Sequence, residues 1–208
     1  MKKIFYLLIL SIFTSMFVSC QKEEEGNNNV RPEDVVDPDH VKVNDKYGIS
    51  VICPVDEWTN NYLDATVLGD SASVVTLALK KDSVVNAETG QVSYPTSIYL
   101  LRFLYQPTSE EDATNFIIQY RKKVFENLLT VDYSSVPEYT SSVVNGYPCF
   151  YLQAILGGSR SRHTGKRDLY MFYHNGVIYG AMVSVLDDIS SATAYEECND
   201  IIKTIKLK

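Results

Sequence analysis

Hydrophobic and polar residues alternate with period two over the second half of the chain. Phe150, Leu152, Ala154 and Leu156 share one face, while Tyr147, Cys149, Tyr151 and Gln153 take the other. Val177, Tyr179, Ala181, Val183 and Val185 repeat the pattern. Period-two patterning is the mark of a strand with at least one covered face. Two Asn-Gly pairs, Asn145-Gly146 and Asn175-Gly176, interrupt these runs. Asn-Gly between β-prone segments signals a two-residue hairpin, because both central residues need positive φ. The spacing therefore predicts strands over 138–144, 147–156, 168–174 and 177–186, joined as an antiparallel meander. If Asn175-Gly176 closes the second hairpin, paired residue numbers sum to 351, and Thr164 comes opposite Asp187. Earlier strands are expected over 47–52, 73–80 and 96–105. The last is apolar on both faces, which predicts a central strand covered on two sides. Helical spacing of Ala113, Phe116, Ile117, Tyr120, Val124 and Leu128 predicts a helix over 109–129. Ser109 would cap it, with Asp112 three residues on. Tyr195, Cys198, Ile202 and Ile205 predict a second helix over 190–204. These elements make an α+β fold: an antiparallel meander with hairpins, flanked by helices.

The N-terminus follows a different rule. Lys2 and Lys3 precede an uncharged stretch over residues 4–18. A helix needs about 20 apolar residues to cross a bilayer, so this stretch is short, and its positive start is that of a secretory signal. Its end, Phe17-Val18-Ser19-Cys20, resembles the lipobox of bacterial lipoproteins, with Phe17 where leucine is usual. The resemblance implies cleavage after Ser19 and lipidation of Cys20. One acyl chain holds a protein only marginally, and two or three hold it firmly. The following Gln21-Lys22-Glu23-Glu24-Glu25 resembles the export signal that sends Bacteroidetes lipoproteins to the outer face of the outer membrane. The alternative is an acidic linker start on a protein facing the periplasm. Residues 26–45 are polar, with Pro32 and Pro38 among Glu33, Asp34, Asp37 and Asp39. Such a segment buries too little apolar surface to offset its ordering entropy. The domains expected are thus a signal peptide over 1–19, a lipidated cysteine with an acidic flexible tether over 20–45, and a folded domain over 46–208.

Charge refines this. The net charge of −7 divides into +2 over residues 1–20, −5 over 21–45 and −4 over 46–208. The folded part is mildly acidic, without the basic footprint that nucleic acid requires. None of His40, His163 and His174 has a second His or Cys at ligand spacing, so no metal site or other cofactor is expected. Cys53, Cys149 and Cys198 sit in apolar company, an odd number that leaves at least one thiol unpaired within the domain. Buried free thiols are expected rather than a disulfide. No nucleophile elbow, phosphate loop or zinc-protease motif is present. The loop 157–168 carries Arg160, Arg162, His163, Lys166 and Arg167. It reads as a candidate anion or partner patch, or as a solvated loop that neutralises Asp187 and Asp188. Fourteen tyrosines follow Cys20. They suit a glycan- or peptide-binding face and equally suit packing within strands.

The order of elements resembles the PsbP-like family, named for the extrinsic photosystem II subunit. Tyr47-Gly48-Ile49-Ser50-Val51, Pro54 and Trp58 look like that family's first strand and turn. The hairpin over 170–184 and the closing Tyr195-Glu196-Glu197-Cys198-Asn199-Asp200-Ile201-Ile202-Lys203-Thr204-Ile205 complete the likeness. The resemblance covers 47–208 and implies an antiparallel sheet with helices packed over it. Its members are mostly non-enzymatic and bind or stabilise other proteins. The expectation is a lipid-anchored envelope protein that serves as a non-catalytic interaction or assembly module. Its partners would be the membrane, through the anchor, and a protein of the envelope. The alternative is a surface lipoprotein that binds glycan or peptide, with an enzyme behind both.

Overall fold

The computed structural model describes residues 40–43, 47–54, 56–67, 73–85, 92–121, 133–135, 138–157 and 163–208. The four-strand meander forms as the alternation and turns require. Strands β9 (Thr140–Val144) and β10 (Tyr147–Leu156) meet at Asn145-Gly146, and β11 (Gly165–His174) and β12 (Val177–Leu186) meet at Asn175-Gly176. Both asparagines take positive φ, 47° and 49°. The second hairpin runs in the expected register: Gly165 faces Leu186, His174 faces Val177, and Asp187 N–H donates to Thr164 O at 2.9 Å.

Upstream, β3 (Trp58–Val67), β4 (Ser73–Lys80) and β7 (Thr96–Phe103) extend the same sheet. Its order is β3-β4-β7-β12-β11-β10, with β8 (Tyr133–Ser135) and β9 both pairing β10. β7 lies between β4 and β12 and is covered on both faces, as its pattern requires: Ile98 and Leu100 enter one core, Leu101 and Phe103 the other. A small sheet joins β1 (His40–Val43), β2 (Ile49–Pro54) and β13 (Lys206–Leu207). A two-stranded ribbon pairs β5 (Val84–Val85) with β6 (Val92–Ser93).

One face of the large sheet carries α1 (Glu110–Arg121), through Ala113, Ile117 and Tyr120 against Leu152, Leu169 and Met171. Phe103 stands edge-on to Phe116 and Tyr120, with centroids at 5.4 and 4.9 Å. Ser109 Oγ accepts from Asp112 N–H at 3.1 Å, the expected cap, and Asp112 turns back to accept from Thr108 N–H at 2.8 Å. The other face carries α2 (Ala194–Ile202) and the small sheet, packing Cys198, Ile201 and Ile202 with Val51, Phe172 and Val183. Each such side chain, fully buried, stabilises the fold by about 1.5–3 kcal/mol. The C-terminus is tied down: Asn145 Nδ2 donates to Ile205 O at 2.7 Å, and Tyr179 Oη to Lys208 O at 3.0 Å. Gly48, at φ 83°, sits so close that a Cβ there would lie 2.9 Å from Tyr179 Oη.

Several boundaries differ from the sequence pattern. β11 begins at Gly165, so Lys166, Arg167 and Asp168 belong to the ladder and not to the loop read over 157–168. Charged residues disguised that strand end, because its alternation includes Asp168 facing inward. β1 pairs β2 within the stretch read as tether, so His40–Val43 form a strand of the small sheet. β3 escaped notice because Asn60, Asn61 and Asp64 break its apolar alternation. α2 starts at Ala194, after a turn in which Leu186 O accepts from Ser190 N–H at 2.9 Å. The expected helix over 109–129 is described as far as Arg121; residues 122–130 lie outside the described residues.

Candidate functional site

Of the residues singled out as a basic patch, Arg160 and Arg162 lie outside the described residues, as does Cys20. The remaining three point to different places. His163 Nδ1 meets Asp188 Oδ2 at 2.8 Å, and that hydrogen bond holds the Asp188 carboxyl below the usual carboxylate range. Lys166 places its ammonium 4.8 Å from the centre of the Tyr195 ring, on the α2 face. Arg167, the next residue along the strand, faces the opposite side, where its Nη2 donates to Ser184 Oγ at 3.4 Å. The pleat of β11 thus separates Lys166 from Arg167.

The α2 face gathers a different set around Asp168. Gln153 on β10 stands directly opposite Asp168 on β11, and Tyr151 stands opposite Tyr170. Tyr195, on the first turn of α2, closes the group from above. Asp168 is 1 % exposed. Tyr195 Oη donates to Asp168 Oδ2 at 2.6 Å, Gln153 Nε2 donates to Oδ1 at 2.9 Å, and Tyr151 Oη donates to Oδ1 at 3.3 Å. A buried carboxylate is tolerable when donors surround it, and here three do. Burial, with the Asp168 charge added, pushes the Tyr195 and Tyr170 hydroxyls above their ordinary values. Tyr147, Tyr151 and Tyr195 stay half-buried, so their outer edges and Lys166 form a strip beside α2. The signal that could have revealed the cluster was an acid within a β run, facing a glutamine on the preceding strand.

A second network lies on the other side of α2. Glu197 Oε1 accepts from Trp58 Nε1 at 3.1 Å, and Lys80 Nζ donates to Glu197 Oε2. Burial alone would lower the Lys80 ammonium, but the Glu197 hydrogen bond and charge outweigh it and hold the group above its ordinary value. Nearby, Thr96 Oγ1 donates to Asp82 Oδ2 at 2.9 Å and lies 3.1 Å from Ser190 Oγ.

The three cysteines are buried and free, as their apolar company led one to expect. Burial, then the Glu197 charge, pushes the Cys53 thiol up to about 12, and burial pushes Cys149 up to about 11. Cys198 moves the same way for the same reasons as Cys53. Among the described residues, no three of His, Cys, Asp or Glu cluster so as to hold a metal ion. No helix among them is long and apolar enough to cross a membrane.

No family model matches the chain, and no curated protein is similar to it in sequence. Solved structures are. The solution structure of cyanobacterial PsbP from Synechocystis superposes with a TM-score of 0.53 at 10 % identity, over 92 % of this chain and 98 % of that one. The chain has a PsbP-like α+β fold. Two further likenesses are more remote. A crystal structure from Bacteroides thetaiotaomicron gives a TM-score of 0.44 at 12 % identity, over 77 % of this chain. The chain spans 45 % of that protein's length. LpqN of Mycobacterium tuberculosis, described as involved in cell envelope biogenesis, gives 0.36 at 12 % identity, over 73 % of this chain and 91 % of that one.

Proposed function

We propose that the chain is a lipid-anchored protein of the cell envelope whose PsbP-like domain is a non-catalytic interaction module. The observation that carries the reading is that, among the described residues, the carboxylates of Asp168 and Glu197 are committed to holding the fold. Asp168 receives two phenols and an amide, and Glu197 receives an ammonium and an indole. The thiols are kept protonated, the opposite of what a nucleophilic cysteine needs. What is left to meet other molecules is the surface. The anchor rests on Cys20 and the residues before it, and residues 21–39 supply a tether. The acidic run after Cys20 favours the outer face of the outer membrane over its periplasmic face.

Two measurements test this. Intact-mass analysis of the mature protein should start at Cys20 and carry acyl chains, and Cys20→Ala should move the protein out of the membrane fraction. A tagged chain captured from gently solubilised envelopes should bring down a protein partner. An unmodified Cys20 removes the anchor, and capture of nothing removes the interaction module.

The tyrosine strip favours a second reading, a surface protein that binds glycan or peptide. Half-buried phenols beside an ammonium suit sugar rings and peptide side chains. Tyr151→Ala and Lys166→Ala should then abolish binding on an array of surface glycans and peptides, and unaltered binding removes the strip from the case.

A further inference from the structure

The two margins of the large sheet are built differently. β3 forms one margin, and its pairing with β4 shifts register between Leu63 and Val67, around Asp64. An irregular register and a charge are common means by which an edge strand resists a second neighbour. β9 lies at the other margin, alongside β8, and pairs β10 without a shift from Thr140–Tyr151 to Val144–Tyr147. Its sequence, Thr-Ser-Ser-Val-Val, holds no charge and no proline. Among the described residues no strand pairs its outer side.

The turn fixes which backbone groups of β9 face outward. Val144 and Tyr147 flank the two-residue turn Asn145-Gly146 and form the hydrogen-bonded pair that closes it. Hydrogen-bonded and non-hydrogen-bonded pairs alternate along an antiparallel ladder. Val144, Ser142 and Thr140 therefore turn N–H and C=O toward β10, while Val143 and Ser141 turn theirs away. Pro148, which has no N–H to offer, stands opposite Val143, in keeping with that alternation. The side chains agree with an open edge. Thr140, Ser141 and Val143 are exposed. Val143, at 65 %, is the most exposed large hydrophobic residue among those described.

We infer that β9 pairs antiparallel with β9 of a second copy of this chain, joining two large sheets across a two-fold axis at Ser142. The strand's match to itself selects that occupant. Ser141 and Val143 carry the outward groups, so Ser141 of one copy meets Val143 of the other and the reverse, with paired numbers summing to 284. Each of these pairs exchanges two backbone hydrogen bonds. Ser142 then faces Ser142, which suits hydroxyl bonding across the strands, and Thr140 faces Val144. A contact about a two-fold axis must be complementary to itself. No position here sets like charge against like charge, which would oppose pairing, and beyond the strand Glu138 comes opposite Gly146. Val143 and Pro148 share the α1 face. The Val143 side chains of the two copies lie diagonal to each other on that face, a separation of about 7–8 Å, and shield one another from water. The contact uses neither Cys20 nor the tyrosine strip.

The register makes the test position-specific. Across the axis the two Ser142 residues form a non-hydrogen-bonded pair with Cα atoms about 4.5 Å apart, inside the range that a disulfide spans. The two Thr140 residues are four positions out of register, about 13 Å along the strands, and outside that range. Cys149 faces Ser142 within the hairpin, so both probes are placed in a Cys149→Ala chain. Full chains carrying Ser142→Cys or Thr140→Cys are oxidised in intact envelopes with copper phenanthroline and resolved on non-reducing gels. The expected result is a species of twice the chain's mass, severalfold more abundant with the thiol at 142 than at 140. Adding Ser141→Pro should abolish it, because that change removes an outward N–H and spares the bonds to β10. Equal yields at the two positions, no doubled species, or a crosslink to a different protein in its place overturns the inference. A second measurement needs no introduced thiol. Sedimentation of the purified full chain should show a dimer that Val143→Lys and Ser141→Pro each convert to monomer. An unaltered chain that stays monomeric throughout the micromolar range overturns the inference and leaves the anchor reading untouched.

Discussion

Asp168→Ala probes how α2 is held on the sheet. The carboxylate is 1 % exposed and accepts from Tyr195, Gln153 and Tyr151 at 2.6, 2.9 and 3.3 Å. Hydrogen bonds to a charged group stabilise by about 1.5–3 kcal/mol each, so three set an upper bound of about 9 kcal/mol. Two effects reduce it. Removing a buried charge returns a desolvation cost of several kcal/mol. Tyr151 and Tyr195 are also only half-buried, so their hydroxyls regain water once the acceptor is gone. The net destabilisation should be about 2–4 kcal/mol. With a urea slope of about 2 kcal/mol per molar, the unfolding midpoint falls by about 1–2 M at unchanged slope. The reasoning is tested most closely by a double-mutant cycle with Tyr195→Phe, followed by urea titration of all four proteins. Coupling of about 1.5 kcal/mol or more is expected for partners in one buried network. Coupling below about 0.5 kcal/mol, the range of independent sites, would show that the Asp168 carboxylate is incidental to how α2 is held.

Four further outcomes follow from the structure. Gly165→Ala should destabilise by at least about 2 kcal/mol, read as a lowered urea midpoint, because the added Cβ would lie 2.2 Å from Val185 O within the β11–β12 ladder. Stability should fall as pH rises above about 10, where unfolded tyrosines ionise while Tyr170 and Tyr195 keep their protons in the fold. The folded state then binds more protons than the unfolded one, so the sign is a loss with rising pH, and Tyr195→Phe should flatten the alkaline limb. Ellman's reagent at pH 8 should find no reactive thiol in the folded, lipidated protein and three after denaturation, since Cys53, Cys149 and Cys198 are buried; a further fast-reacting thiol would reveal an unmodified Cys20. Asp188→Asn should cost less than about 1 kcal/mol at physiological salt, because the His163–Asp188 pair is exposed, and a larger loss of midpoint would contradict a solvent-screened pair.

Parts of the fold were legible from local chemistry alone. Asn145-Gly146 and Asn175-Gly176 demand positive φ, which closes both hairpins and sets their registers. Ser109 offers its hydroxyl to a backbone N–H of the first turn, which starts α1. The site was less legible. Lys166 and Arg167 are neighbours in sequence, yet the pleat sends them to opposite faces, a consequence hidden until β11 is known to begin at Gly165. β3 hid behind Asn60, Asn61 and Asp64.

By itself the sequence determined what depends on neighbours a few residues apart: hairpin turns, strand faces, a helix cap, thiols in apolar surroundings and the export-like N-terminus. Tertiary structure decided what depends on closure of long loops. It set Ile49 beside Leu207, aligned β4 with β7 and β7 with β12, and brought Tyr195 down onto Asp168. The physical reason is that turn and cap energies act within a few bonds. Strand order and a buried carboxylate with its donors are chosen instead by which arrangement buries both apolar faces of one sheet while leaving each interior polar group a partner.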